Sequence, residues 1–293
     1  MIPEPVVLAL RAAPVAAPPK PRPPAHGRSG ARAPWRPQRV ALFIAVEAEP
    51  RGRQELVAAR CRLFRRGLCV AEHIVVPDGL PSTLRKAADD YAATNRGVVR
   101  FQRGGIAVGD LTSFAAGPLD RYLIGQRAML VAFDLPFVAS RLARNWGPSR
   151  ERDGNGGWVL DGGWSLSFWG SSGDDRSWDD GPGHPRLRLR QANDQVCLMS
   201  WGGLMKGKSE KRRKGPHMGH LLELRHLAGT FGGPSDRDFE VACRSHGVPI
   251  SPSRGQPGVL SAELLDDLGD RLDATALLLD ACLGECDAWE DGT

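Results

Sequence analysis

Residues 39–76 read RVALFIAVEAEPRGRQELVAARCRLFRRGLCVAEHIVV, and the fold class turns on this stretch. Its opening, RVALFIAVEAE, is a short continuous apolar run rich in β-formers, which predicts a buried central strand. Two more strands are predicted at once, Leu56 to Arg65 and Leu68 to Val76, with Arg66-Gly67 as a tight connection between them. Three strands in immediate succession predict an antiparallel meander.

Downstream, Pro81-Ser82 opens a predicted helix that runs to about Asn95 and is closed by Gly97. A weaker helical stretch covers Leu119 to Arg127. Ala128 to Phe133 (AMLVAF) predicts another buried strand, leading through Asp134-Leu135-Pro136 into a helix from Phe137 to Trp146. Residues 147–183 are rich in Gly, Asp and Ser, interrupted by the strand-like GGWSLSFWG; Pro185 to Arg190 and Val196 to Trp201 predict a second hairpin. Short helices are predicted at His220–Ala228 and Asp238–His246. The clearest helix is Ser261 to Glu285, with Ser261 as N-cap and Glu263 in the first turn. This order predicts one α/β domain with a mixed sheet flanked by helices over residues 38–293, carrying a loop-rich β-hairpin insertion at 147–219. Residues 1–37, dominated by Pro, Ala and Arg, read as a disordered tail.

Composition narrows the function classes. The chain has 293 residues, 41% of them hydrophobic, and a formal charge of +5. No apolar run reaches the ~18 residues of a membrane helix, so no membrane partner is expected. The six cysteines fall mostly inside apolar stretches, as buried thiols do, and a reducing, cytoplasmic setting is expected. The charge is uneven. Residues 1–40 hold seven Lys/Arg against Glu4, Lys206 to Lys214 holds six bases against Glu210, and beyond Ser261 Arg271 is the only base in an acidic segment.

Three carboxylates stand where strand and helix ends could converge them. Glu47, with Glu49 two residues on, ends the first strand; Asp134 follows AMLVAF, where an open α/β sheet places ligands; Asp273 lies on the last helix. Carboxylates from a first strand, a later strand–helix junction and a C-terminal helix suit phosphodiester hydrolysis by paired ions, because Mg²⁺ prefers oxygen ligands and two ions ~4 Å apart stabilise both attacking and leaving oxygens. Each residue also has a plainer reading. Glu47 and Glu49 read equally as exposed acids at a strand end, Asp134 as a helix cap, and Asp273 as part of a solvated stripe with Asp266, Asp270 and Asp280.

Several segments together resemble the DEDD-type 3′–5′ exonucleases of the RNase H-like superfamily, in particular the exonuclease-like domains related to family B DNA polymerases. FIAVEAE stands where that family ends a strand in Asp-x-Glu. AFDLPFVASRLA resembles its second motif, Gly-Phe-Asn-Leu-Pro-Phe-Asp followed by Ser-Arg-Leu-Ala. HLLELRHLAGTF, DFEVACRSHGV and RLDATALLL resemble later segments in the family's order, the last opening on the third-motif Asp. The resemblance spans roughly residues 38–290. It implies an RNase H-like sheet, Mg²⁺ or Mn²⁺ held by Glu47, Asp134 and Asp273, and a single-stranded nucleic-acid end as substrate. It also exposes departures. Ala45 replaces the first-motif Asp, Val138 the second-motif Asp, and Gly269 and Leu268 occupy the positions of the catalytic Tyr or His. The expectation is a nucleic-acid-binding, exonuclease-like chain with weakened or lost hydrolysis. The alternative is a non-catalytic module of the same fold that grips nucleic acid or a protein partner.

A rival motif lies in the insertion. Gly202 to Ser209 (GGLMKGKS) matches the phosphate-loop pattern and follows the strand QVCLMSW, but Gly215, Pro216 and Gly219 interrupt the helix such a loop should feed. The same residues make a basic loop, Lys206, Lys208, Lys211, Arg212, Arg213 and Lys214, suited to phosphate contacts, with Trp201 beside it for stacking. Trp164, Trp169 and Trp178 read as hairpin core ahead of a stacking surface. His217, His220 and His226 lack zinc-site spacing.

Overall fold

A computed structural model describes residues 40–50, 54–95, 105–152, 158–169, 185–193, 196–201, 218–231 and 238–291. The N-terminal tail, the basic loop with Gly202–Ser209, Trp178 and His217 lie outside the described residues. No helix among those described is long and apolar enough to cross a membrane.

Strands β1 (Val40–Ala48), β2 (Leu56–Arg65) and β3 (Leu68–Val76) form the antiparallel meander. The β2–β3 connection is a two-residue turn with both residues at positive φ, Arg66 at 52° and Gly67 at 77°, the geometry whose twist matches that of a hairpin. Helix α1 (Ser82–Thr94) returns the chain to β4 (Ala107–Asp110), which adds parallel to β3 as an edge strand. Asp110 then caps a helical segment by accepting from Ser113 N at 2.7 Å. This segment begins as α2 (Leu111–Phe114) and continues as two π-helical turns, Ala115–Leu119 and Arg121–Gly125. It thus starts earlier than the sequence predicts, and Pro118 within it lacks the amide that α-helical bonding requires.

On the other side of β1, β5 (Met129–Ala132) and then β10 (Leu221–Glu223) add in parallel, giving the order β10-β5-β1-β2-β3-β4. The helix after β5, α3 (Leu135–Leu142), ends sooner than the pattern suggests. The chain goes straight into a second sheet of four antiparallel strands: β6 (Asn145–Arg152), β7 (Trp158–Ser167), β8 (Leu187–Asn193) and β9 (Val196–Trp201). Two hairpins therefore occupy the segment where one was expected. After β10 come α4 (Leu224–Phe231), α5 (Phe239–Ser245) and α6 (Ala262–Asp291), whose N-terminus Ser261 caps through Leu264 N.

Alternation along β1 sorts the core. Leu42, Ile44 and Val46 face α3, the π-helical segment and the inner residues of the second sheet (Leu166, Phe168, Leu187, Met199). Ala41, Phe43 and Ala45 face the other side, where α1 and α6 bury Tyr91, Leu265, Leu268 and Leu272. Covered on both faces, β1 reads as a continuous apolar run rather than an alternating one.

Candidate functional site

Helix α6 lies across β1 and β2 on the Phe43 face, and a set of buried charged groups gathers beneath it. Residues directly opposite in an antiparallel pair share a face. Arg60 lies opposite Ala45, Arg62 opposite Phe43, and Glu72 opposite Arg62, so all three project under the helix. They are buried, Glu72 completely. Arg60 Nε and Arg62 Nε both donate to Glu72 Oε1, at 2.6 and 2.9 Å. Arg60 Nη1 also donates to the Leu265 carbonyl at 2.7 Å and to the Tyr91 hydroxyl at 3.1 Å. The Tyr91 hydroxyl in turn donates to Asp266 Oδ1 at 2.6 Å. Arg62 Nη1 reaches up to Asp273 Oδ1. Burial works against the charge on Arg62, and Glu72 with Asp273 outweigh it, so its pKa lies above the usual value.

Gly269 marks how closely the helix approaches. A Cβ there would stand 2.2 Å from Arg60 Nη1 and 2.9 Å from Cζ. The position at which the resembled family carries an aromatic side chain is one where this chain leaves room for a guanidinium.

The remaining candidates are also paired. Glu47 is on the same face, with Arg271 Nη1 at 3.3 Å from Oε2; a bulge follows it, and Glu49 lies exposed beyond the strand end. Asp134 caps α3 by accepting from Phe137 N at 3.0 Å, and its other oxygen takes Arg225 Nη1 at 3.0 Å. The plainer helix-cap reading of Asp134 is therefore part of its role. The structure brings Glu47 and Asp273 to one face under α6, each on its own arginine, and sets Asp134 at the strand ends with a different neighbour.

That neighbour is Glu223, at the end of β10 and opposite Ala132 of β5. Its side chain is almost fully buried. Arg225 Nε and His226 Nε2 each stand 3.4 Å from one of its oxygens, yet neither oxygen has a hydrogen-bond partner among the described residues. Burial pushes the carboxyl up to about 8, with Arg225 pulling it down and Asp134 adding to the rise. Glu223 is thus held as a neutral acid near neutral pH.

The donor set does not fit a pair of divalent ions. Such ions take several oxygen ligands each, and here Asp273, Glu47 and Asp134 are engaged by Arg62, Arg271 and Arg225. No group of three or more His, Cys, Asp and Glu among the described residues could hold a metal. Freeing Asp273 would leave the buried Arg62 with Glu72 alone. Positive charge at this place is supplied by the chain itself.

Sequence reasoning overlooked Arg60, Arg62, Glu72, Glu223 and Arg225. One signal was present: Arg60 and Arg62 alternate within a strand whose neighbours, Ala58, Ala59, Cys61 and Leu63, are buried apolar residues. Trp201 is not a free stacking surface, since it packs on Phe168 and donates to the Gly219 carbonyl at 3.0 Å. β9, which leads into Gly202–Ser209, is an antiparallel edge strand. The chain matches no protein-family model, no curated protein and no solved structure.

Proposed function

We propose that this chain is a nucleic-acid-binding protein on an RNase H-like, exonuclease-type fold whose metal-dependent hydrolysis has been lost. One observation carries the loss of hydrolysis: Arg62, buried and anchored on Glu72, engages Asp273, while the first-motif carboxylate is Ala45 and the aromatic position Gly269 is filled by Arg60. The antiparallel meander, the parallel strands β5 and β10 beside β1, and the C-terminal helix across β1 and β2 support the fold assignment. A basic tail and a basic loop, the basic parts of a chain whose remaining residues are net acidic, support a polyanion as partner. A reducing, cytoplasmic setting goes with this reading, since Cys61 and Cys243 are buried thiols outside any disulfide among the described residues.

In this reading Arg60 and Arg62 do the work of fixed cations. They hold α6 on the sheet and neutralise the acidic side chains that would otherwise repel phosphate. Glu47 and Arg271 form the rim of the same face. The test is incubation of the protein with 3′-labelled single-stranded DNA and RNA in Mg²⁺ or Mn²⁺, beside Glu47→Ala/Asp273→Ala. Salt-sensitive retention of intact strand without label release is expected. Label release that the double variant abolishes would restore Glu47, Asp134 and Asp273 as a working metal site.

A further inference from the structure

The second sheet has two unlike faces. Leu166, Leu187 and Met199 turn inward and are buried against the main sheet; at the end of that side Trp164, expected in the hairpin core, is half exposed, while Trp169 packs against Phe168. Alternation along β8 puts Arg186, Arg188 and Arg190 on the outer face. Residues opposite one another share a face, so Ser165 and Ser200 flank Arg188, and Leu198 lies beside Arg190. Arg186 Nε donates to Ser165 Oγ at 2.8 Å and its Nη2 to the Ser165 carbonyl at 3.1 Å, which lays that side chain along the sheet. Neither the Arg188 nor the Arg190 guanidinium is paired with a carboxylate among the described residues.

The usual reasons for arginine on a strand do not account for this row. Opposite charges across neighbouring strands stabilise a charged sheet face, and the residues in register with Arg188 and Arg190 are Ser165, Ser200 and Leu198. Basic residues also guard edge strands against pairing with other chains. Here β8 is an inner strand of the order β6-β7-β8-β9, and the neighbouring edge strand β9 has no charged residue. Three like charges at alternate positions of one strand, rooted about 7 Å apart, repel one another. An anion lying along the row relieves that repulsion.

Shape and chemistry select the occupant. The four strands carry no lysine, so every cation in them is a guanidinium, whose planar fork matches phosphate oxygens. More positive charge follows in sequence at one end of the row: β9 finishes at Trp201 opposite Leu187, and six bases come between Lys206 and Lys214. The acids of α6 in a second copy are poor partners, since Arg62 and Arg254 already hold Asp273 and Asp270. An extended phosphodiester chain can follow a straight row, whereas a duplex curves its phosphates away from it.

We propose that Arg186, Arg188 and Arg190 on the outer face of the second sheet form a docking surface for the phosphate backbone of single-stranded nucleic acid. This rests on the nucleic-acid reading above and supplies its contact surface. Phosphate contacts carry no sequence information, so the surface binds without regard to base.

The experiment is fluorescence anisotropy of labelled oligothymidylate and oligouridylate with the full chain across a potassium chloride series. It compares the wild type, Arg188→Gln/Arg190→Gln, Arg188→Lys/Arg190→Lys and a control, Lys86→Gln/Arg244→Gln, which removes the same charge from exposed positions of α1 and α5. The glutamine pair breaks no ion pair, so its melting temperature should stay within a few degrees. Losing two phosphate contacts should lower the salt slope by about 1.4 and the affinity near 0.1 M salt by about 25-fold, equally for both oligonucleotides. The lysine pair should keep most of the slope, and the control should stay close to wild type. Unchanged affinity and slope in the folded glutamine variant overturn the docking surface and leave the nucleic-acid reading intact; an equal loss in the control does the same, since net charge alone then explains it. Absence of wild-type binding to either strand overturns both. Tighter binding of a duplex of the same length overturns the choice of a single strand. Displacement of the oligonucleotide by polyglutamate more readily than by unlabelled oligonucleotide overturns the proposal in favour of an acidic protein partner.

Discussion

Gly269→Ala separates local helix preference from the buried network. In the interior of α6 the substitution should stabilise by about 1 kcal/mol, because alanine loses less backbone entropy than glycine. The structure reverses the sign. The new Cβ would stand 2.2 Å from Arg60 Nη1. The end of an arginine is ordinarily free to swing aside, but this nitrogen donates to the Leu265 carbonyl and the Tyr91 hydroxyl in a buried setting. Hydrogen bonds to a charged group contribute about 1.5–3 kcal/mol each. Losing most of both, less the propensity gain, gives a net destabilisation of about 2–4 kcal/mol. Urea unfolding should show the midpoint falling by roughly 1 M, at the slope usual for small proteins. In an Arg60→Met background, itself about 3 kcal/mol less stable because Glu72 loses one of its two guanidiniums, the same change should be neutral or stabilising. The cycle would then yield a coupling of at least about 2 kcal/mol. A Gly269→Ala protein as stable as the wild type, or equal effects in both backgrounds, would refute the packing of Arg60 against the helix.

Two further predictions concern ionisable groups. Glu223 is protonated when folded and ionised when unfolded between pH 4.5 and about 8, so stability should fall as pH rises through that window, by up to about 4 kcal/mol, and Glu223→Gln should flatten the curve. His73, held neutral with its pKa lowered by burial to about 4, has the opposite slope below pH 6.5, so melting temperatures between pH 6.5 and 8 isolate Glu223; parallel profiles for wild type and variant would refute the assignment. Asp267 accepts from Ser253 Oγ, Arg254 N and Gly255 N at 2.7–2.9 Å and holds the loop before α6. Asp267→Ala should cost about 3 kcal/mol and speed amide exchange at Arg254 and Gly255, while unchanged exchange would mean that the loop is held otherwise.

Local chemistry made the meander, its Arg66-Gly67 turn and α6 legible, because strand period, turn residues and an N-cap are all encoded within a few positions. β10 was not, since three strand residues inside HLLELRHLAGTF read as the first turn of α4. The end of α3 was missed because Asn145 and Trp146 continue its pattern, and only pairing with Ser167 and Leu166 makes them strand. Glu47, Asp134 and Asp273 could be chosen as acids at element ends, but their partners could not. Arg62 lies 211 residues from Asp273, and Arg271 lies 224 from Glu47. Nothing local distinguishes a carboxylate awaiting an ion from one already answered by a guanidinium.

The place of the second sheet in the chain has a kinetic consequence. It is inserted between β5 and β10, which are neighbours in the main sheet although the chain leaves after Ala132 and returns at Leu221. Close approach at the return is strict, since a Cβ on Gly219 would stand 1.9 Å from the Ala128 carbonyl oxygen. The meander closes over short sequence separations, and β10 must wait for a long loop to close. Loop-closure entropy grows only as the logarithm of length, so lengthening the connections between the packed strands of the insertion should hardly alter equilibrium stability. It should instead change how long the edge of β5 stays open during folding, the interval in which a parallel edge is prone to pair with another chain.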